Sequence, residues 1–358
     1  MFLKLKILAS FLVLFAFVDL VASSSNKTHL VVALPCRHNQ PLDPHWYTPE
    51  YVDYIAGLLP ADCYEVTGYF VSMENIPTFL DDMQALQAQK GNVCVLNICD
   101  GGEWDGHPGI SVCRLWEKHG INGVIPKSGA DAEFILNSDD KVKMQTFLKK
   151  ANLKFLPQAL VAKDQPIDKA KVAALIHQEG LSQSWPLFCK LNVGAGALSI
   201  CDASICQTLD QAVALLHKLR TEYPISDIII QPYLPGPEYT VLVLGDKVYA
   251  AVRRDFHNKY NIMYEDYMTG IRKVEEEITY LPAPEHVQKI AVQAIQAIPG
   301  RQHYTRVDLR DDSLGNTYVI DINERPGLGA PSTVNCMLDF NHLNEAQLLL
   351  DIVESCVP

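Results

Sequence analysis

Several features are missing from the 358-residue chain, and each absence removes a class of protein. There is no low-complexity tract, no heptad series and no internal repeat, so coiled coils and solenoids are excluded. Positive charge is in the minority, with 30 Lys and Arg against 42 Asp and Glu, a formal net charge of -12. A surface that tracks nucleic-acid phosphates needs clustered cations, so nucleic acid is not an expected partner. Ten cysteines are present, but none form a C-x-x-C pair, and no zinc framework can be read from their spacing. Several, such as Cys94 and Cys189, sit inside apolar runs where a thiol usually packs as a small core residue; the spacing leaves disulfides open.

A comfortable membrane span is also lacking. Lys4 and Lys6 precede an apolar run from Ile7 to Val18, followed by Ala22-Ser23-Ser24-Ser25. The run is shorter than the roughly 20 residues that cross a bilayer. The pattern is that of a cleaved secretory leader over residues 1–25, leaving no stable membrane span. It places the protein in the secretory pathway or outside the cell, or in the cytoplasm if Met1 is not the working start.

What remains is enzyme-like: 48% of residues are hydrophobic and 9% aromatic, enough for a sizeable core and two or three domains. From His29 to Ile125, short apolar runs alternate with helical patterns. Strands are expected at His29–Leu34, Tyr64–Val71, Asn92–Ile98 and Ile121–Ile125, and helices at Pro49–Leu59, Ile76–Gln87 and Gly109–His119. Such alternation implies a parallel sheet with helices on its faces. In residues 126–225, Ser138 is expected to cap a helix over Asp139–Ala151, with strands at Gln158–Ala162 and Pro186–Asn192 and helices at Asp168–Glu179 and Leu209–Glu222. Residues 226–358 carry strands at Asp227–Tyr233, Glu238–Leu244 and Lys247–Val252, the last two joined by Gly245-Asp246. A helix at Pro284–Ala297, a strand pair at Arg306–Arg310 and Thr317–Ile322, and a helix at Leu343–Ser355 complete it. The expected division is therefore 26–125, 126–225 and 226–358.

The richest chemistry lies in the strand pair. Positions two apart on a strand face the same side, so Asp321 and Asn323 project together, and a neighbouring strand can bring Asp308 beside them. Carboxylate and carboxamide oxygens suit a hard divalent cation such as Mg2+ or Mn2+. Arg306, read alone, pairs with Asp308 or a neighbouring acid. Glu238, read alone, is a solvated residue at a strand start, and Lys141 and Lys190 are surface lysines, although a lysine closing the apolar strand Pro186–Lys190 is unusual.

The ordered set Thr305-Arg306-Val307-Asp308-Leu309-Arg310, then Asp321-Ile322-Asn323-Glu324-Arg325-Pro326-Gly327, with Ser332 after it, resembles the ATP-grasp superfamily, and within it the D-alanine–D-alanine ligases. The resemblance covers almost all the chain after residue 90. It implies an α/β ATP-grasp fold: an N-terminal parallel-sheet α/β domain and two α+β domains that clamp ATP. By this similarity Asp308, Asp321 and Asn323 are the metal ligands, and Arg306 and the Gly327 amide stabilise the oxyanion. Ile230-Gln231-Pro232-Tyr233-Leu234-Pro235-Gly236-Pro237-Glu238 is similar to the family's adenine hinge, placing Gln231, Tyr233 and Leu234 at the base and Glu238 at the ribose. Lys141, Lys190 and the small-residue loop with Gly194 and Gly196 would meet phosphates. Asp100 and Glu103, on a glycine-rich loop after a strand, and Ser332 would face the substrate.

The chain departs from the family at its amino-acid end. Leu34-Pro35-Cys36-Arg37 replaces the first substrate motif, Asp321 stands where the family usually has Glu, Ala195 stands for a loop serine, and residues 253–268 do not reproduce the mobile loop's Tyr and Lys. The expectation is an ATP- and metal-dependent carboxylate–amine ligase working through an acyl phosphate, with small-molecule carboxylate and amine substrates and room for a homodimer. A secreted, non-catalytic nucleotide-binding protein on the same fold is the alternative.

Overall fold

The protein is described by a computed structural model over residues 27–37, 40–41, 48–99, 108–121, 124–194, 197–256, 278–329 and 332–356. The expected leader lies outside these residues. Strand β1 (Thr28–Arg37) is met at its end by the short antiparallel β2 (Gln40–Pro41). After helix α1 (Pro49–Leu58), strand β3 (Tyr64–Val71) runs parallel to β1. Helix α2 (Ile76–Lys90) stops at Gly91, whose φ of 79° is open to glycine at little cost. It leads to β4 (Val93–Asn97), parallel on the other side of β1, and then to α3 (Gly109–Lys118). Alternation along β1 splits its side chains between two cores. Val31 and Ala33 pack with Phe79 and Trp116, while Leu30, Val32 and Leu34 face the rest of the molecule.

Of the strand expected at Ile121–Ile125, the described residues are not extended: the amides of Val124 and Ile125 both bond back to Ile121 O, at 2.9 and 2.8 Å. The edge of β4 is instead touched by Lys127, in a single parallel bridge to Val95.

A helix not anticipated, α4 (Ala132–Ser138), follows, capped by the Asp131 side chain. It uses up the residue expected to cap the next helix: Ser138 donates to Phe134 O at 2.9 Å. Helix α5 (Lys141–Lys150) is capped instead by Asp140, which accepts from the Lys143 amide. Strand β5 (Ala159–Val161), helix α6 (Lys169–Gln178), strands β6 (Leu187–Leu191) and β7 (Ile205–Cys206), helix α7 (Leu209–Glu222) and strand β8 (Ile228–Pro232) build an antiparallel sheet in the order β5-β8-β6-β7. Both helices pack into its core.

The last sheet is antiparallel with five strands in the order β11-β10-β9-β12-β13: β9 (Glu238–Leu244), β10 (Lys247–Asp255), β11 (Thr279–Pro282), β12 (Tyr304–Asp311) and β13 (Thr317–Asn323). Gly245, at φ 61°, turns β9 into β10. Helix α8 (Glu285–Ala297) packs on one face with α4 and α5. The other face shares a core with the N-terminal sheet and with α9 (Thr333–Phe340) and α10 (Glu345–Glu354). Burying a Leu or Ile side chain is worth about 1.5–3 kcal/mol, and residues such as Val252, Tyr304, Met337 and Ile352 in this shared core fix the sheet's position.

Candidate nucleotide and metal site

The site begins with the pairing of β12 and β13. Asp308 lies opposite Asp321 and Arg306 opposite Asn323, and the register shifts just beyond Asp308, so that Leu309 pairs with Val319 and Ile320 is the extra residue. Such a bulge takes one residue out of the ladder. Here the Ile320 carbonyl accepts from Lys190 Nζ at 3.3 Å. Arg306 grips Asp308 with two bonds, Nε to Oδ1 at 3.2 Å and the terminal NH2 group to Oδ2 at 2.9 Å. Thr240 Oγ1, on β9, also donates to Asp308 Oδ1 at 3.0 Å. The ion pair between Arg306 and Asp308 that the sequence left open is therefore formed.

Two buried lysines face these acids. Lys141 is the first residue of α5; its ammonium lies 3.2 Å from Asp321 Oδ1 and donates to Gly194 O at 3.3 Å. Both Lys141 and Lys190 are buried rather than exposed. Burial, helped by the nearby Lys141 charge, lowers Lys190 from its usual 10.5 to about 8, against the pull of Asp321, Glu238 and Asp308. Burial also pushes the Asp321 carboxyl up, but Lys141, Lys190 and Arg306 together hold it below its usual value.

Glu238 opens β9 and lies directly across from Arg254 on β10 and Arg310 on β12. Its oxygens meet Arg254 NH1 at 3.3 Å and Arg310 NH1 at 3.4 Å. Burial still raises its carboxyl above the ordinary range despite both guanidinium groups. Glu238 is thus a paired, largely buried acid and not a solvated strand-start residue. The two arginines were not singled out in the sequence: on strands with one polar face, an arginine resembles a solvated position, and only the cross-strand register reveals its acid.

Apart from Thr240, these groups line one cavity, open to solvent, between the sheet β5-β8-β6-β7 and the five-stranded sheet. Of the residues singled out in the sequence, Lys141, Lys190, Gly194, Gln231, Tyr233, Leu234, Glu238, Arg306, Asp308, Asp321 and Asn323 are in its wall, beside the apolar Phe188, Leu198, Ile200 and Ile320. Gly327 and Ser332 are not: Gly327 follows β13, and Ser332 caps α9 by accepting from the Asn335 amide. Asp100, Glu103 and Gly196 lie outside the described residues. Among the described residues no trio of His, Cys, Asp or Glu forms a metal cluster. The donor set is two opposed carboxylates and a carboxamide, all oxygen, which fits a hard cation that fills its remaining positions with phosphate or water.

A second group of residues, also missed, lies just beyond. Glu345, at the start of α10, accepts from the Gly329 amide at 2.9 Å, from Asn335 Nδ2 at 2.6 Å and from the Tyr54 hydroxyl. Tyr51 donates to Leu328 O at 3.0 Å. Helices α1, α9 and α10 thereby hold the segment that carries Gly327.

A parallel-sheet domain joined to two antiparallel sheets that enclose a cavity lined by acids and buried lysines defines an ATP-grasp ligase. The sequence of residues 147–354 matches the family model described as D-ala D-ala ligase C-terminus. The chain belongs to the D-alanine–D-alanine ligase family and is an ATP-dependent ligase forming carbon–nitrogen bonds. It is 24% identical over 231 residues to the D-alanine–D-alanine ligase of Pseudoalteromonas translucida, covering 64% of this chain and 71% of that one. The enzyme of Ruthia magnifica is 24% identical over 262 residues, covering 65% and 80%. In fold, the chain is similar to the Bacillus anthracis D-alanine–D-alanine ligase complexed with ATP, at TM-score 0.66, 16% identity and coverage of 92% and 97%. The VanG D-Ala:D-Ser ligase of Enterococcus faecalis gives 0.62, 16%, 92% and 100%.

Proposed function

We propose that the cavity binds ATP with a divalent ion, magnesium or manganese, and that the protein phosphorylates a carboxylate and transfers the acyl group to an amine, releasing ADP and phosphate. The observation that carries this reading is the convergence of Lys141, Lys190, Glu238, Asp308, Asp321 and Asn323 on one cavity from elements distant in sequence. In it, the two ammonium groups meet the triphosphate, and Glu238 meets the ribose next to the hinge residues Gln231, Tyr233 and Leu234. Phe188, Leu198 and Ile320 give the base an apolar slot. The ion supplies charge neutralisation during phosphoryl transfer, held by Asp308, Asp321 and Asn323. Arg306, fixed beside those ligands by Asp308, and the Gly327 amide stabilise the tetrahedral oxyanion formed when the amine attacks. Positioning and charge supply the rate, because phosphoryl transfer asks little covalent chemistry of a protein.

The substrates in this reading are an amino acid or peptide carboxylate and a second amino acid as amine. D-alanine itself is not singled out, since Leu34-Pro35-Cys36 stands in place of the family's first substrate motif. Purified protein with ATP, magnesium and a panel of D- and L-amino acids and dipeptides should release phosphate only when both substrates are present. Folded protein that binds ATP but releases no phosphate across the panel would establish the non-catalytic alternative. Among the described residues no helix is long and apolar enough to cross a membrane; export through residues 1–25 is tested by the mass of the mature N-terminus.

A further inference from the structure

Strand β12 carries an alternating row of charge on the face that lines the cavity: Arg306, Asp308 and Arg310, each two residues from the next. The first two are paired with each other. The third reaches the hinge and touches three of its residues at once. Arg310 Nε donates to Gly236 O at 3.3 Å, NH1 donates to Glu238 Oε2 at 3.4 Å, and the guanidinium carbon lies 5.8 Å from the centre of the Tyr233 ring. Backbone bonds already join the same two segments: Gly236 N–H donates to Asp311 O at 2.9 Å, and Asp311 N–H to Pro237 O at 3.0 Å. They fix where the main chain of the hinge runs, but not where the Glu238 carboxyl points.

That direction is set from two sides. Arg254 NH1, from β10, takes Oε1 at 3.3 Å, while Arg310 takes Oε2. The register places both arginines directly opposite Glu238, so neither has to reach along a strand. A carboxylate has about four acceptor positions on its two oxygens. The guanidinium groups use one on each, which leaves one on each for a ligand with two neighbouring hydroxyls. The 2′- and 3′-hydroxyls of a ribose, on adjacent carbons, are such a pair of donors. The two arginines also offset the cost of keeping a carboxylate at 11% exposure. Arg310 holds more than the acid. Its rigid planar fork spans Gly236 and Glu238, and its charge lies over Tyr233, whose ring stacks with Phe188 at 6.4 Å between centres and 27° between planes. One side chain on the strand of Asp308 therefore holds the ring wall, the turn and the acid together.

We infer that Arg310 is a positioning residue that makes the site selective for ribonucleotides over deoxyribonucleotides, by holding Glu238 where both ribose hydroxyls can bond to it. The inference rests on the reading of the cavity as a nucleotide site. Without Arg310 the carboxyl is held by Arg254 alone and turns toward β10. Lysine at this place keeps the charge, but as a point donor it does not reproduce the fork that serves Gly236 O and Glu238 together.

The test is calorimetric titration of the full-length protein, in magnesium, with ATP, 2′-deoxyATP and 3′-deoxyATP. Wild type should bind ATP roughly tenfold or more tighter than either deoxynucleotide, the loss expected when a hydrogen bond to a charged acceptor is removed. In Arg310→Met and in Arg310→Lys that ratio should fall toward one. The ratio is the readout because a merely structural loss weakens all three nucleotides alike. In Glu238→Gln the ratio should already be low, and adding Arg310→Met should lower it no further; a further fall overturns the route through Glu238. Arginine variants that keep the wild-type ratio overturn the inference. So does a wild type that binds ATP and both deoxynucleotides equally, which needs no variant. Both of those results leave the nucleotide reading standing, since ATP still binds; a wild type that binds none of the three removes that reading and the inference with it.

Discussion

At the scale of single residues, the site is decided by charges that are buried and matched. Lys190 is the clearest case: its ammonium is desolvated and sits near a second ammonium, so its folded value of about 8 lies below the usual 10.5. Between these two values the unfolded chain binds the extra proton, so the nucleotide-free protein gains stability from this group as pH rises from about 8 toward 10.5. The same deprotonation removes a cation from the proposed phosphate site. The expected outcome is a kcat/KM for ATP that falls as pH climbs through about 8. Lys190→Arg keeps its charge at every accessible pH, and a profile that stayed bent in that variant would clear Lys190 of the effect. Lys190, Asp321 and Asn323 were singled out in the sequence chiefly by the family resemblance, since a lysine closing an apolar strand and two polar residues two apart at a strand end are weak signals by themselves. Arg254 and Arg310 break no pattern; only the register that sets both opposite Glu238 makes them visible.

At the scale of elements, two sets of contacts position the segments to which the proposed function assigns the nucleotide and the oxyanion. Gly236 passes so near the end of β12 that a Cβ would lie 2.7 Å from both the Cβ and the carbonyl oxygen of Asp311. Its amide donates to that same oxygen at 2.9 Å, and its carbonyl accepts from Arg310 Nε at 3.3 Å. Gly236→Ala must push the hinge away from β12, at a cost of about 1–3 kcal/mol. It should lower thermal stability and raise the KM for ATP through displaced Glu238; an unchanged ATP KM would show that the hinge does not bear on the nucleotide. Read along the chain, Pro235-Gly236-Pro237 is only a turn, and the steric need for glycine comes from a strand some 75 residues later in the sequence. Glu345 acts similarly at the other end. It ties Gly329, Asn335 and Tyr54 together, and hydrogen bonds to a charged group contribute about 1.5–3 kcal/mol each. Glu345→Ala should reduce kcat by roughly tenfold or more while leaving the ATP KM in place, since each 1.4 kcal/mol is about a factor of ten. An equal rise in ATP KM would place Glu345 with the nucleotide instead of with the Gly327 segment.

At the scale of the whole molecule, the positions of most strands were legible where apolar runs were bounded by turn residues, and so was the parallel pairing of the first sheet; the order of the strands was not, and the middle sheet is antiparallel although helices lie between its strands. Less legible was where the short helices went. Helix α4 has seven residues, too few for a periodic signal, and its packing with α5 and α8 on the five-stranded sheet depends on contacts far away in sequence. That packing bears on the proposed function, because it sets Lys141 at the head of α5 against Asp321 on β13, while Lys190 arrives from β6 of the sheet β5-β8-β6-β7. Nucleotide would therefore bridge parts of the protein that otherwise meet across an open cavity, and a ligand that binds only the folded state stabilises it by mass action. At about a hundred times its dissociation constant the gain is roughly 2.7 kcal/mol, a melting shift of several degrees. ATP with magnesium should give that shift. Asp321→Ala should lose the magnesium-dependent part yet keep a smaller shift with ATP alone, because Lys141, Lys190 and Glu238 remain. If chelating the metal leaves the wild-type shift unchanged, the two strands do not hold an ion beside the triphosphate, whatever the rest of the cavity binds.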